Sequence, residues 1–221
     1  MTTEEEAPMQ AVRRWFPPVA ALTLAALLLL HPRSDGRLYE SLSGQVARWL
    51  VVHVGLAVLA GAMGLAAWLL LDGLRGRAAT IARCALPVFV VFFVAWEATL
   101  GIGTGILVDV TNAAAAGDRP PLADAIDHYF SSPLLFALSL IGNGAWIVAM
   151  LAAAVAFRRA GADRRVWVLV ACSSVFVMHD TGPVGAIGLT CFAAAYLLVE
   201  RSRAPLAYNS DRVAQHGVAA R

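Results

Sequence analysis

Arg158-Arg159-Ala160-Gly161-Ala162-Asp163-Arg164-Arg165 separates two apolar runs, and its reading decides the fold. Arginine and lysine beside an apolar segment resist translocation, so such a cluster marks a cytoplasmic turn. The chain has no lysine, so arginine alone carries this signal. Working outward from the cluster, six membrane spans are expected over residues 16–31, 46–71, 81–108, 133–157, 166–178 and 184–199. With the N-terminus in the cytoplasm, only Arg33, Arg37, Arg48 and Arg119 fall on the outer side, and the other thirteen arginines fall inside. The expected fold is therefore an all-α, polytopic transmembrane bundle with both termini cytoplasmic. Residues 1–204 would form one membrane domain, and 205–221 a polar cytoplasmic tail.

Composition supports this class. Of the 221 residues 59% are hydrophobic and 14% charged, and the mean hydropathy is +0.69. Soluble domains run at about 45–50% apolar and about 25% charged. The apolar runs leave no length for a separate globular domain. The net charge of +2 is accounted for by orientation, so nucleic acid is excluded as a partner and the lipid bilayer, as a multi-pass protein of the cell membrane, is expected. Abundant Ala, Arg, Gly and Val without lysine fits a GC-rich bacterial coding sequence. Cys84, Cys172 and Cys191 each sit in an apolar run without a Cys-x-x-Cys neighbour, which argues against a disulfide framework or zinc ribbon.

The last two runs are shorter than the roughly 20 residues a perpendicular helix needs. Either the helices extend through His179-Asp180-Thr181-Gly182-Pro183, or this turn lies below the outer surface, where irregular backbone requires protein or water around it. A re-entrant hairpin is a third arrangement. Trp49 and Trp68 are read as interfacial aromatics, and residues 124–130 as a short amphipathic surface helix.

Polar residues within the spans carry the functional expectations. Glu97 is placed near the middle of the third span, where a charge costs at least about 2.5–3.5 kcal/mol and must face a partner, water or a proton. Asn143, at similar depth on the next span and flanked by Gly142 and Gly144, is its expected hydrogen-bond partner. His53 lies two turns into the second span from the outside. His31 ends the first span, and His179 with Asp180 ends the fifth. The three histidines, with the carboxylates of Asp180 and Asp109, outline an outward-opening funnel with Glu97 at its floor, and these side chains together with Asn143 are the candidates to bind a small ligand, ion or proton. A second reading makes His31, His53 and His179 the ligands of a metal or haem in a membrane-embedded enzyme or redox protein, although no HExxH or His-x-x-x-His motif is present and the cofactor is unspecified. A third reading makes the polar residues helix locks in a structural or assembly subunit. Gly101 and Gly105 make a small-xxx-small pair, and Gly182, Gly185 and Gly188 repeat every third residue. Both patterns let helix backbones approach closely and allow helix-mediated self-association.

Overall fold

A computed structural model describes the backbone of residues 3–34, 36–178 and 183–218 and the side chains of 9–34, 36–178 and 183–203. Among them there is helix and no strand. The order is α1 (Thr3–Leu28), α2 (Leu38–Leu42), α3 (Val46–Leu70), α4 (Arg77–Trp96), a π-helical segment (Glu97–Ile102), α5 (Gly103–Ala113), α6 (Arg119–Phe130), α7 (Pro133–Arg159), α8 (Arg164–Cys172), a 3-10 turn (Ser173–Val177) and α9 (Val184–Val218). Among the described residues, five stretches are long and apolar enough to cross a membrane: Met9–Leu28, Val46–Leu70, Arg77–Ala113, Arg119–Arg159 and Val184–Arg203. Val51, Val54, Val58 and Leu65 on α3, and Leu134, Phe136 and Leu140 on α7, are exposed. Apolar surface on this scale suits contact with lipid.

The opening cluster folds as a stop followed by a start. Ala162 N–H donates to Phe157 O and Gly161 N–H to Arg158 O, with Gly161 at φ +76°, which closes α7 with a Schellman motif. Asp163 then caps α8 by accepting from Arg165 N–H at 2.7 Å, satisfying a donor that the first helical turn leaves open.

Arginine contacts gather the helix ends on one face. Arg13 pairs with Asp72, and Tyr196 Oη donates to Arg13 O at 2.8 Å. Arg203 donates to Asp72 O at 2.6 Å, and Arg83 to Leu71 O and Leu74 O at 2.8 and 2.9 Å. The α7–α8 turn lines the same groove as Asp72 and Arg203. The arginine-rich turns thus share a side of the bundle, as the sequence reading requires. The Arg13 guanidinium, chiefly by its hydrogen bond, holds the Asp72 carboxyl below the usual carboxylate range. A depressed carboxyl contributes stability above its unfolded value and loses it as pH falls through the folded one. Acidification through that range is therefore expected to loosen the start of α1. Proteolysis at residues near Arg13 should speed up at low pH in the wild type, and Asp72→Asn should show the faster cleavage already at neutral pH.

The expected fifth span is short. α8 has nine residues and the 3-10 turn five, together rising about 23 Å against a hydrocarbon core of about 30 Å. It is not among the five long apolar helices. Its α-to-3-10 change is held by Trp146 Nε1 donating to Ser173 O at 3.0 Å and Ser173 Oγ donating to Val170 O at 2.6 Å. Phe176 enters an aromatic core with Phe89, Phe93 and Trp146, at centroid distances of 6.2, 5.7 and 5.4 Å. His179 and Asp180 lie outside the described residues. The helical backbone of α9 continues through Val218, into the stretch read as a separate polar tail.

The opposite face carries a cap. Arg37 pairs with Asp124, and Leu38 N–H donates to Asp127 Oδ1 at 3.0 Å. Tyr39 Oη donates to Asn112 Oδ1 at 2.9 Å, and Leu38, Leu42, Trp49, Val108 and Ile126 form the apolar seam beneath. The surface helix expected over 124–130 is the longer α6. The stretch Arg77–Ala113 has 37 residues, about 55 Å at 1.5 Å per residue, so its last part, α5, stands in the cap.

Candidate functional site

Glu97 begins the π-helical segment. A π-bulge widens the helix and shifts the carbonyls that follow, and such bulges concentrate at functional positions. Here neighbouring elements take up two of those carbonyls. Trp49 Nε1 donates to Gly101 O at 2.6 Å and Tyr129 Oη to Thr99 O at 2.6 Å. The bulge is thereby clamped between α3 and α6. Tyr129→Phe removes one clamp, and a loss of about 1 kcal/mol is expected in equilibrium unfolding, with the thermal midpoint falling accordingly.

His53 comes to the same place from α3. Its Nδ1 lies 2.9 Å from Trp49 O. A carbonyl only accepts, so Nδ1 carries the hydrogen. Nε2 then lies 3.9 Å from Glu97 Oε2, with the two side chains 4% and 1% exposed. Trp49 stacks on the His53 ring at 3.9 Å. His31, just past the end of α1, completes the trio at 5.0 Å from His53 and 5.4 Å from Trp49. Its own Nδ1 lies 2.7 Å from Pro32 O, which sets its tautomer by the same argument.

Gly101 makes this approach sterically feasible. A Cβ there would stand 2.1 Å from His53 Cδ2 and 2.9 Å from Glu97 Oε2. Gly105, one turn on, would meet Leu50 and Trp49. The small-xxx-small pair therefore faces α3 within the chain.

Three expectations change in the structure. Glu97 is not opposite the middle of the neighbouring helix α3. It lies about 30 Å along from Arg77 and opposite His53, about 10 Å from the cap-side end of α3. The middle of an over-long helix is not the middle of the bundle. Asn143 Nδ2 donates to Ser139 Oγ at 3.0 Å on its own helix, not to Glu97. Trp49 is buried at 2% exposure and belongs to the site, whereas Trp68 is exposed as an interfacial ring should be.

The structure thus brings His31, His53 and Glu97 together, bonds the Asn143 amide to Ser139 on its own helix, and does not describe His179 or Asp180. Sequence reasoning passed over Trp49 and Tyr129 as site residues. The only signal for either was an aromatic near a span end, which bilayer anchoring explains equally well. Thr104, fully buried two turns beyond Glu97, was also passed over. Among the described residues no three His, Cys, Asp or Glu side chains are placed to hold a metal ion. Comparison with protein-family models, curated proteins and solved structures returns no match.

Proposed function

We propose that the chain is a multi-pass protein of the cell membrane whose Glu97–His53 pair, edged by His31, binds and exchanges a proton during the binding or passage of a small ligand from the cap side. One observation carries this: a buried carboxyl 3.9 Å from the Nε2 of an imidazole whose Nδ1 is committed to a carbonyl. One proton makes the pair neutral as carboxylic acid with imidazole, or as carboxylate with imidazolium, and such a pair titrates as a unit.

The arginine face is read as cytoplasmic, by the bias that keeps positive charge there. Both ends of the described membrane region meet at Asp72 through Arg13 and Arg203. That common side favours an even number of crossings, so the reading keeps six, with α8 and the 3-10 turn in the short fifth one. His179 and Asp180, which follow the 3-10 turn in sequence, are proposed to join the same site.

Infrared difference spectra between acid and alkaline pH test the proposal. A protonated-carboxyl band should appear in the wild type, vanish in Glu97→Gln and change its pH midpoint in His53→Ala. A band unaltered by Glu97→Gln removes the proton-exchange role. The structural-lock reading has its own support in the Trp49–Gly101 bond and the ring packed on Gly101. It expects Glu97→Gln to leave both the spectra and any pH-dependent uptake unchanged.

A further inference from the structure

A groove of about 610 Å³ opens on the arginine face between the α3–α4 turn, the α7–α8 turn and α9. Its apolar wall is Leu74, Phe157, Val166 and Leu198, and Arg165 and Arg201 stand on its rim. We propose that this groove binds an anionic phospholipid of the adjoining leaflet, with the phosphate between Arg165 and Arg201 and the start of an acyl chain along the apolar wall.

The local charge is arranged for an anion. Among the described residues the acids around the groove are already engaged. Asp72 holds Arg13, Asp163 caps α8 and Glu200 pairs with Arg203 Nη1 at 2.7 Å. The guanidinium groups of Arg165 and Arg201 have no hydrogen bond or ion pair to any described residue. Arg159 and Arg164 on the neighbouring turn add to the positive potential. The mixed lining points to a lipid in preference to a soluble anion, because apolar walls at the ends of membrane helices are reached by acyl chains. Basic pockets between spans at this surface are the usual seats of acidic headgroups. The inference rests on the membrane reading of the helices and is independent of Glu97.

Native mass spectrometry of the full chain tests it, with phosphatidylglycerol and phosphatidylcholine offered separately. Wild type should retain phosphatidylglycerol in preference. Either Arg165→Gln or Arg201→Gln should weaken retention about five-fold and the pair about thirty-fold. Arg75→Gln, on the same face but outside the groove, should leave retention unchanged. Unfolding temperatures in phosphatidylcholine alone, equal across these proteins, show that the fold is kept, and either single variant suffices should the double one fold poorly. Wild-type retention in the single and double variants overturns the proposal. So does equal retention of phosphatidylcholine. Displacement of phosphatidylglycerol by inorganic phosphate alone would make the groove a free-anion site and overturn the lipid assignment.

Discussion

Gly101→Ala is expected to unfold at a markedly lower temperature than wild type, with a stability loss of about 3 kcal/mol, the upper part of the usual range for overpacking. The added methyl would lie 2.1 Å from His53 Cδ2 and 2.9 Å from Glu97 Oε2. The ring cannot withdraw without cost. Moving it breaks the Nδ1 contact with Trp49 O and the 3.9 Å stack on the indole, and it separates Nε2 from the carboxyl. His53→Ala made in the Gly101→Ala background removes the clashing ring, so the two changes should be strongly non-additive, with a coupling of about 1–3 kcal/mol. Calorimetry of the four proteins gives that coupling. Additive losses, or a Gly101→Ala protein as stable as wild type, would mean that the ring does not rest on this backbone. The same variant should alter the pH-dependent infrared band proposed for Glu97, because it displaces the imidazole that faces the carboxyl.

Gly142→Val should damage the bundle at least as much, for a different reason. A Cβ at Gly142 would meet Phe93 N at 2.8 Å and Phe93 Cα at 3.1 Å. These are backbone atoms, so no rotamer change relieves the contact and α4 and α7 must move apart. Helix association in lipid depends on close packing and polar contacts, not on a hydrophobic drive, so lost contact between these two helices is not recovered elsewhere. A loss of about 3 kcal/mol or more is expected, read as loss of the folded form in detergent by size-exclusion chromatography and calorimetry. Gly144 is the internal control. Nothing lies within 4 Å of its missing Cβ, so Gly144→Ala should be neutral or stabilising by up to about 1 kcal/mol, the difference in helix propensity. Similar behaviour of the two variants would show that α7 does not present Gly142 to α4.

The contrast between Gly142 and Gly144 illustrates how far a sequence of this kind can be read. Both flank Asn143 and look alike in one dimension. Helix rotation decides which of them meets a neighbour, and a span that is apolar nearly all round encodes that rotation weakly. The same limit explains Asn143, whose depth suggested Glu97 as a partner although its amide turns to Ser139 on its own helix. It also explains Trp49, where an indole near a span end reads as a bilayer anchor until its N–H is seen on Gly101 O. The short α8 was visible as a deficit of apolar length. The 3-10 turn that follows it, held by Trp146, was not, because that support comes from another helix.

Apolar run length and arginine placement by themselves determined the helical class, the long membrane helices, the grouping of the basic turns and the suspicion attached to Glu97, His53 and His31. Each follows from transfer free energy, which depends on what a residue is and how many like it are adjacent. Tertiary structure alone decided that Glu97 faces His53, that a π-helical bulge presents it, that Gly101 makes room for the ring, and that Arg165 and Arg201 rim one groove. These depend on helix rotation and register, which are set by packing between segments distant along the chain.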